Sequence, residues 1–348
     1  MLVYWALFLF FAVGTFAETG RKPDFAAQRP LWIVGGLLIF LMIGFRYEVG
    51  ADWQTYEFIF SYAGYADFDR VIEIGDPGFQ ALNWLVQQLG GEIVWVNAVC
   101  ALLFTWGLFR LARLQPDPWL AILVAVPYMV IVASNYTRQA AALGIVMAGL
   151  SALGRGGSLM RFVGYVTVAA LFHRTAIAVL PLVIFSRPRN RFLSSLGGIA
   201  AFIALFDMFL ASSMETFVEN YIEVEYSSQG AAIRVAMVVL AATLFLLRRR
   251  QFAFPPSDDR VWFYFSLASF GALAALAVTP SSTAIDRLSL YLMPLQVVVL
   301  SRLPFVYASR QLGTALVVAY CFAVQFVWLN FAVHAKYWIP YQFYPLFG

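Results

Sequence analysis

Residues 119–153 read WLAILVAVPYMVIVASNYTRQAAALGIVMAGLSAL, and Arg138 is the single charged residue among them. A helix that crosses a membrane needs about 20 mostly apolar residues, with a range of about 17–25. The segments 119–134 and 137–153 each come close to that length, and a short polar connection separates them. We therefore interpret this stretch as two consecutive membrane crossings, with Arg138 beside the connection.

The rest of the chain has the same character. Of its 348 residues, 62% are hydrophobic and 12% are charged, whereas a soluble domain carries about 25% charged residues. The composition predicts an all-α polytopic membrane protein that forms a single multispanning domain over residues 1–348, with about twelve transmembrane helices, some of them short or re-entrant. The apolar segments lie near 1–17, 31–45, 92–109, 119–134, 137–153, 162–172, 175–186, 192–211, 231–247, 261–278, 288–301 and 312–333.

The polar connections between these segments alternate in charge. One set contains 16 of the 23 basic residues and five of the 19 acidic ones, and the other contains seven basic and 13 acidic residues. Because cytoplasmic loops are enriched in Lys and Arg, we place the first set in the cytoplasm and both termini on the external or periplasmic side of the membrane. A cleaved signal peptide over 1–17 is the alternative, but such peptides begin with basic residues, so we expect a retained helix.

Two external loops, about 46–91 and 212–230, are rich in acidic residues. Within the first, residues 79–89 predict an amphipathic helix on the membrane surface. The two cysteines lie inside apolar segments and exclude a disulfide framework, and two histidines are too few for a zinc cluster. The basic residues are scattered between apolar segments, which is typical of membrane topology and not of nucleic-acid binding.

Four arginines stand at the external ends of apolar segments: Arg46, Arg138, Arg174 and Arg287. Such arginines are costly unless they pair, reach the surface or line a cavity. Separate ion pairs, such as Arg46 with Glu48 and Asp286 with Arg287, are one explanation. The other is a basic cluster that binds an anion, because the planar guanidinium holds phosphate oxygens through two parallel bonds. A diphosphate at the outer membrane surface indicates a polyprenyl-diphosphate lipid.

Other residues whose side chains could take part in catalysis or binding flank these arginines. Asp52 follows Gly50, which permits a tight turn, and is either catalytic or the N-cap of a helix over 53–62. Asn135 or Thr137 could cap the next helix, whose positive end would favour an anion beside Arg138. His173 is either a neutral hydrogen-bonding residue or an acid or base.

The tripeptide Asp67-Phe68-Asp69 has the D-x-D pattern of metal-using glycosyltransferases. A single such tripeptide in an acidic loop is more typical of a solvated loop, so we predict no metal site and no cofactor.

Several motifs occur in an order and topology that resemble the EpsG family of bacterial exopolysaccharide synthesis. They are Phe45-Arg46-x3-Gly50-x-Asp52-x3-Tyr56, Asp76-Pro77-Gly78-Phe79, Thr137-Arg138-Gln139-x-Ala141, Leu171-Phe172-His173-Arg174-Thr175 and Arg287-x3-Tyr291. The similarity extends from about residue 31 to Tyr341. It implies a GT-C-like membrane glycosyltransferase, similar in role to Wzy-type polymerases, that acts on undecaprenyl-diphosphate-linked oligosaccharides at the external face.

Under this interpretation Asp52 is the catalytic base, and Glu48 and His173 are the alternative candidates for that role. Arg46, Arg138, Arg174 and Arg287 would bind the diphosphate, and Tyr56, Gln139 and Tyr291 the rest of the substrate. Expected partners are the lipid-linked oligosaccharide, membrane lipids, a flippase and a chain-length regulator, and not nucleic acid. An O-antigen-type ligase, a flippase for the lipid-linked saccharide and a sugar O-acyltransferase remain alternatives.

Overall fold

The computed structural model describes residues 1–18, 25–186, 192–209, 230–279, 282–307 and 309–348. Throughout these ranges the chain is helical, and extended pairing is limited to one isolated bridge between Arg46 and Phe343. The predicted all-α class is therefore confirmed. Of the predicted acidic loop over 212–230, only Gly230 lies within the described residues, so Glu215, Glu219, Glu223 and Glu225 lie outside them.

The α-helices follow the apolar pattern of the sequence. In chain order they are α1 Leu2–Glu18, α2 Phe25–Gly44, α3 Trp53–Tyr65, α4 Phe68–Glu73, α5 Pro77–Gln88, α6 Ile93–Ala112, α7 Pro118–Ala125, α8 Ile131–Ala133, α9 Thr137–Gly154, α10 Leu159–Phe172, α11 Leu180–Phe185, α12 Phe192–Phe209, α13 Ala231–Arg248, α14 Pro256–Val278, α15 Thr283–Ser289, α16 Met293–Val306, α17 Arg310–Phe331 and α18 Tyr344–Phe347. Each apolar segment of the sequence coincides with helix wherever it is described.

Among the described residues, five helical stretches are long and apolar enough to cross a membrane: Ile93–Ala112, Ala231–Phe252, Pro256–Val278, Thr283–Val306 and Arg310–Phe331. Six shorter apolar helices accompany them: Leu2–Ala17, Arg29–Gly44, Pro118–Ala133, Leu159–Phe172, Arg174–Phe185 and Leu196–Phe209. The chain is thus a membrane protein. The number of twelve crossings and the GT-C-like arrangement stay predictions.

Two irregular helical stretches interrupt the apolar helices. A π-helical turn, Val126–Val130, joins α7 to α8 and contains Pro127, whose missing N–H cannot continue the α-helical hydrogen bonds. A 3-10 helix, Arg174–Val179, follows His173, whose backbone is extended. The break predicted at His173-Arg174 is confirmed, and it exposes helix ends where polar side chains can meet.

Both ends of the chain lie at the same end of the helix bundle. The Tyr4 hydroxyl donates to the Trp338 carbonyl at 3.0 Å, and the Gly50 N–H donates to the Tyr337 carbonyl at 2.8 Å. The Trp338 indole in turn donates to the Ile131 carbonyl at 3.1 Å. The C-terminal segment therefore fixes the turn that follows α2, the turn in which Asp52 lies.

Helix α5 has the amphipathic pattern predicted for residues 79–89. It buries Phe79, Asn83 and Val86, whereas Leu85 is 50% exposed. Its buried face packs on α3, α6 and α10. This contact brings the start of α5, and with it Asp76, to the end of α10 where His173 lies.

Candidate functional site

Asp76 is the centre of a charged cluster at the end of the bundle that holds both termini. Its carboxylate lies 2.9 Å from Arg138 Nη1 and 3.3 Å from Arg174 Nε, and it accepts the Arg174 backbone N–H at 3.0 Å. His173 Nδ1 lies 3.5 Å from the same carboxylate. One side chain thus connects the motif around Asp76 with the motifs around Arg138 and His173, which are distant in sequence.

The local sequence explains how Asp76 reaches this position. It occupies the N-cap of α5 without capping the helix through its side chain, and Pro77 fills the first helical position. At Gly78 a Cβ atom would lie 2.8 Å from Leu171 Cβ and 3.0 Å from the Leu171 carbonyl oxygen. A side chain there would push α5 away from α10 and separate Asp76 from His173.

The surroundings of Asp76 keep it ionised. Burial would raise its pKa, but the hydrogen bond from His173, the charge of Arg138 and the backbone N–H of Arg174 together lower the pKa to about 2. A carboxylate with so low a pKa is a poor proton acceptor near neutral pH. Asp76 is therefore suited to positioning the cations and not to acid–base chemistry.

Asp52 is the second carboxylate of the cluster. Asn135 holds it on two sides, donating from Nδ2 to the carboxylate at 3.2 Å and accepting the Asp52 backbone N–H at 3.0 Å. Arg287 Nη2 lies 3.7 Å from the same carboxylate. Gly50, with φ 105°, provides the turn that presents Asp52 there.

The capping explanation for Asp52 does not hold. Asp52 stands at the N-cap position of α3, but its side chain makes no hydrogen bond to the first turn of that helix. Burial raises the pKa of its carboxyl above the ordinary 3.8, and the charges of Arg287 and Arg138 offset part of that rise. The Asp52 carboxyl is therefore partly exposed and has a pKa above that of a free aspartic acid.

The four arginines predicted to bind the anion separate into two groups. Arg138, Arg174 and Arg287 are 31%, 29% and 25% exposed and surround the two carboxylates. Arg46 is 1% exposed, and it donates to the carbonyl oxygens of Ile43 and Val49 and to the side chains of Asn97 and Thr137. Arg46 thus holds helix ends together below the cluster.

Neither of the separate ion pairs expected from the sequence forms. Arg46 bonds to backbone and neutral side chains, and Glu48 is exposed with φ 51°. Asp286 pairs at 2.8 Å with Arg234, not with its neighbour Arg287, and both members of that pair are almost fully buried. The reason is helical geometry, because adjacent residues point to different sides of a helix.

The three predicted substrate-binding residues support the cluster from behind. Gln139 is buried and donates to the Arg287 carbonyl at 2.6 Å. The Tyr56 ring lies 6.0 Å from the Arg138 guanidinium, and the Phe79 ring lies 5.8 Å from it. Tyr291 is also buried. The contacts of Gln139 and Tyr56 help to hold Arg287 and Arg138 in place. Direct contact of the three residues with substrate stays a prediction.

A cavity of about 370 Å³ opens beside Asp52. Besides Asp52 and Asn135, its lining includes the aromatic rings of Tyr128, Tyr136, Trp328 and Trp338. The Arg287 guanidinium lies over the Tyr136 ring, 3.7 Å from the centroid of that ring. The cavity therefore combines flat apolar faces with the Asp52 carboxylate and Arg234, and Tyr136 separates it from Arg287.

The site also contains a buried polar atom without a partner. Within the described ranges, His173 Nε2 has no hydrogen-bond partner, although it is shielded from solvent. Other buried polar atoms share this property, including Gln139 Oε1 in the same region. No group of three or more metal-ligating side chains occurs in the part of the chain that the structure describes.

Sequence reasoning missed Asp76 and Asn135 as members of the site. Asp76 is one of seven acidic residues in the 46–91 loop, and what distinguishes it in the sequence is the motif Asp76-Pro77-Gly78-Phe79. Asn135 was considered as a helix cap, but it holds Asp52 instead. Both act through contacts between segments far apart in the chain.

Fold and site together define a polytopic membrane protein with an arginine-rich charged cluster at one end of its bundle. The model of the EpsG family matches residues 30–343, nearly the whole chain, so the protein belongs to the EpsG family. No curated protein and no solved structure matches it. Membership of this family indicates a polymerase role in exopolysaccharide synthesis.

Proposed function

We propose that the protein joins undecaprenyl-diphosphate-linked oligosaccharide repeat units at the outer face of the bacterial cytoplasmic membrane. The observation that carries this proposal is the meeting of Arg138, Arg174 and Arg287, each a quarter to a third exposed, with the partly exposed Asp52. Three arginines against two carboxylates leave an excess of positive charge with His173 neutral. That excess is one positive charge (three minus two), which attracts a diphosphate, and the guanidinium groups can donate charge-assisted bonds to its oxygens.

The proposed reaction transfers a glycosyl group between two lipid-linked chains. A hydroxyl oxygen of the acceptor sugar forms a bond to the anomeric carbon of the donor, and the bond from that carbon to the diphosphate oxygen breaks. The electron pair leaves with the diphosphate, where the arginines stabilise the charge that develops. Asp52 accepts the hydroxyl proton, and its raised pKa matches that task.

The cavity beside Asp52 is suited to the acceptor sugar. Sugar rings bind through apolar faces and polar edges, and the cavity provides Trp328, Trp338 and Tyr136 near the Asp52 carboxylate. The arginines on the other side of Asp52 would hold the donor diphosphate. Asp52 then lies between the two substrates, where a base must stand to accept a proton from the attacking hydroxyl.

Purified protein given lipid-linked repeat units in detergent tests the proposal. We expect polymer, and we expect Asp52→Asn to lower its rate by about 10²–10⁴-fold, the usual contribution of a general base. Asp69→Asn is the matched control, because Asp69 is an exposed carboxylate in the same loop outside the cluster. Absence of polymer with the wild-type protein, or transport that requires sealed vesicles, would contradict the proposal.

In this proposal the arginines stabilise the charge on the diphosphate, as a divalent metal does in D-x-D glycosyltransferases. Polymerisation should therefore persist in EDTA. A rate that falls in EDTA and returns with Mg²⁺ or Mn²⁺ would assign that role to a metal. Asp67 and Asp69, which begin α4, would then be its first candidate ligands.

The external position of the site is tested by labelling. Cys100 and Cys321 are buried, so cysteines introduced at exposed positions can be followed separately. Asp67→Cys, at the site end, should react with an impermeant thiol reagent in intact cells or spheroplasts. Ser257→Cys, at the opposite end, should not, and the reverse pattern would invert the orientation.

A further inference from the structure

A long apolar groove runs along the outside of the bundle between α6 and α10, with α9 at its floor. Its volume is about 610 Å³. The residues that line it are Val99, Leu103, Trp106, Ile145, Arg161, Gly164, Tyr165, Val168 and Phe172. On α10 these positions repeat every three or four residues, so they form one continuous face.

The groove reaches the charged cluster at one end. Phe172 lines the groove and directly precedes His173, while Arg161 lies at the other end of α10. Leu103 and Phe172 also pack against the small apolar cluster that contains Tyr56 and Phe79. Those two rings lie under the Arg138 guanidinium. An apolar path therefore leads from the groove to the arginine that would hold the diphosphate.

The side of the groove that α10 forms has open space at Gly164. A Cβ atom built there would meet nothing within 4 Å. Beside it, the Tyr165 and Trp106 rings approach with centroids 6.4 Å apart and narrow the groove. From Arg161 to Phe172 the helix rises about 16 Å, roughly half the thickness of the hydrocarbon core. The groove is therefore long and narrow, a shape that fits a single chain.

We propose that this groove binds the polyprenyl chain of the lipid-linked donor, at the isoprene units next to the diphosphate. The inference rests on the proposed function, because it takes the diphosphate to lie at Arg138. A membrane-facing groove that ends at the cluster lets the donor enter sideways from the bilayer. The chain remains in an apolar environment throughout, and its charged head alone leaves the membrane.

Substitution of Gly164 by leucine tests the groove without disturbing the fold. Leucine fills open space there and favours helix over glycine. Each methylene excluded from an apolar site weakens binding by a factor of about four. We therefore expect Gly164→Leu to raise KM for a long-chain polyprenyl donor about tenfold or more with kcat unchanged. KM for a donor carrying one isoprene unit should stay as in the wild type.

Gly271→Leu is the matched control. Gly271 lies within a membrane-spanning helix, is exposed, and a Cβ atom there would likewise meet nothing within 4 Å. It should leave KM unchanged for both donors. If Gly164→Leu behaves as Gly271→Leu does while the wild type polymerises normally, the groove proposal is overturned and the proposed function stands.

A binding measurement separates the two proposals further. A polyprenyl diphosphate with a photoreactive group in its first isoprene units should label Trp106, Tyr165 or Val168, and Gly164→Leu should reduce that labelling. This readout needs no turnover, so it tests the groove even if no polymer forms. Labelling spread evenly over the lipid-facing helices would overturn the assignment.

Discussion

Two regions at the same end of the bundle use arginine in opposite ways. In the open cluster around Asp76 and Asp52, three arginines each keep 25–31% of the side chain exposed. In the buried region, Arg234 and Arg46 are 3% and 1% exposed. Both regions contain guanidinium groups beside acceptors, and from sequence alone they look alike.

The difference lies in what the guanidinium donors reach. Arg234 contacts the Asp286 carboxylate and backbone carbonyl and the Tyr128 hydroxyl, and Arg46 has protein acceptors on all three of its nitrogens. Both guanidinium groups are thus engaged by the protein and almost fully buried, although Arg234 lines part of the cavity beside Asp52. The arginines of the open cluster have accessible surface beside a cavity. Exposure therefore separates structural arginines from arginines that can bind substrate.

The largest expected effect comes from breaking the buried pair. Arg234→Leu would leave Asp286 as a buried charge without its partner, which typically destabilises a protein by about 3–5 kcal/mol. We expect most of the protein to disappear from the membrane, measured by quantitative immunoblot and by thermal unfolding in detergent.

The double variant Arg234→Leu with Asp286→Leu provides the control. Replacing both members of a buried ion pair by apolar residues is often neutral, so abundance should return. If Arg234→Leu alone accumulates normally but makes no polymer, Arg234 belongs to the working site and the distinction by exposure is wrong.

An intermediate effect is expected in the open cluster, and on activity instead of abundance. Arg138→Lys keeps the charge but loses the planar pair of donors. Charge-assisted hydrogen bonds contribute about 1.5–3 kcal/mol each, and 1.4 kcal/mol corresponds to a tenfold change in rate. We expect polymerisation to fall by about tenfold to a hundredfold, and further in Arg138→Ala.

Arg70→Lys is the appropriate control for Arg138→Lys, because Arg70 is exposed at the same end of the bundle and outside the cluster. Arg234 is unsuitable as a control, since it is buried and paired with Asp286. Normal activity of Arg138→Ala at normal abundance would remove Arg138 from the site.

The sequence predicted the helices well and the site in part. Apolar runs of membrane length leave little choice but helix, because backbone groups in lipid must be satisfied within the segment. The neighbouring sequence also indicates the helix break at His173, between the apolar segments 162–172 and 175–186, and the turn at Gly50. The roles of Asp76 and Asn135 were not, because each depends on which helix ends meet. Likewise, Arg46 and Arg138 look alike in sequence, and packing alone buries one of them.

The smallest effect concerns pH and tests the coupling between Arg287 and Asp52. The base works as a carboxylate, so polymerisation should fall as the pH drops through the pKa of Asp52, which burial raises above the ordinary 3.8. The Arg287 charge, 3.7 Å away, lowers that pKa. Arg287→Gln should therefore raise the pKa and move the acid limb of the rate profile to higher pH.

Partly exposed ion pairs contribute up to about 1 kcal/mol, and one pKa unit corresponds to about 1.36 kcal/mol. The acid limb should therefore shift by up to about 0.7 of a pH unit. The effect on folding has the opposite sign: a carboxyl whose pKa is raised on folding favours the folded state most below its unfolded pKa and less as the pH rises through the folded value. Arg70→Gln should leave the limb in place. An unchanged limb in Arg287→Gln, with the rate lowered at every pH, would show that Arg287 acts on the leaving group alone and that Asp52 titrates independently of it.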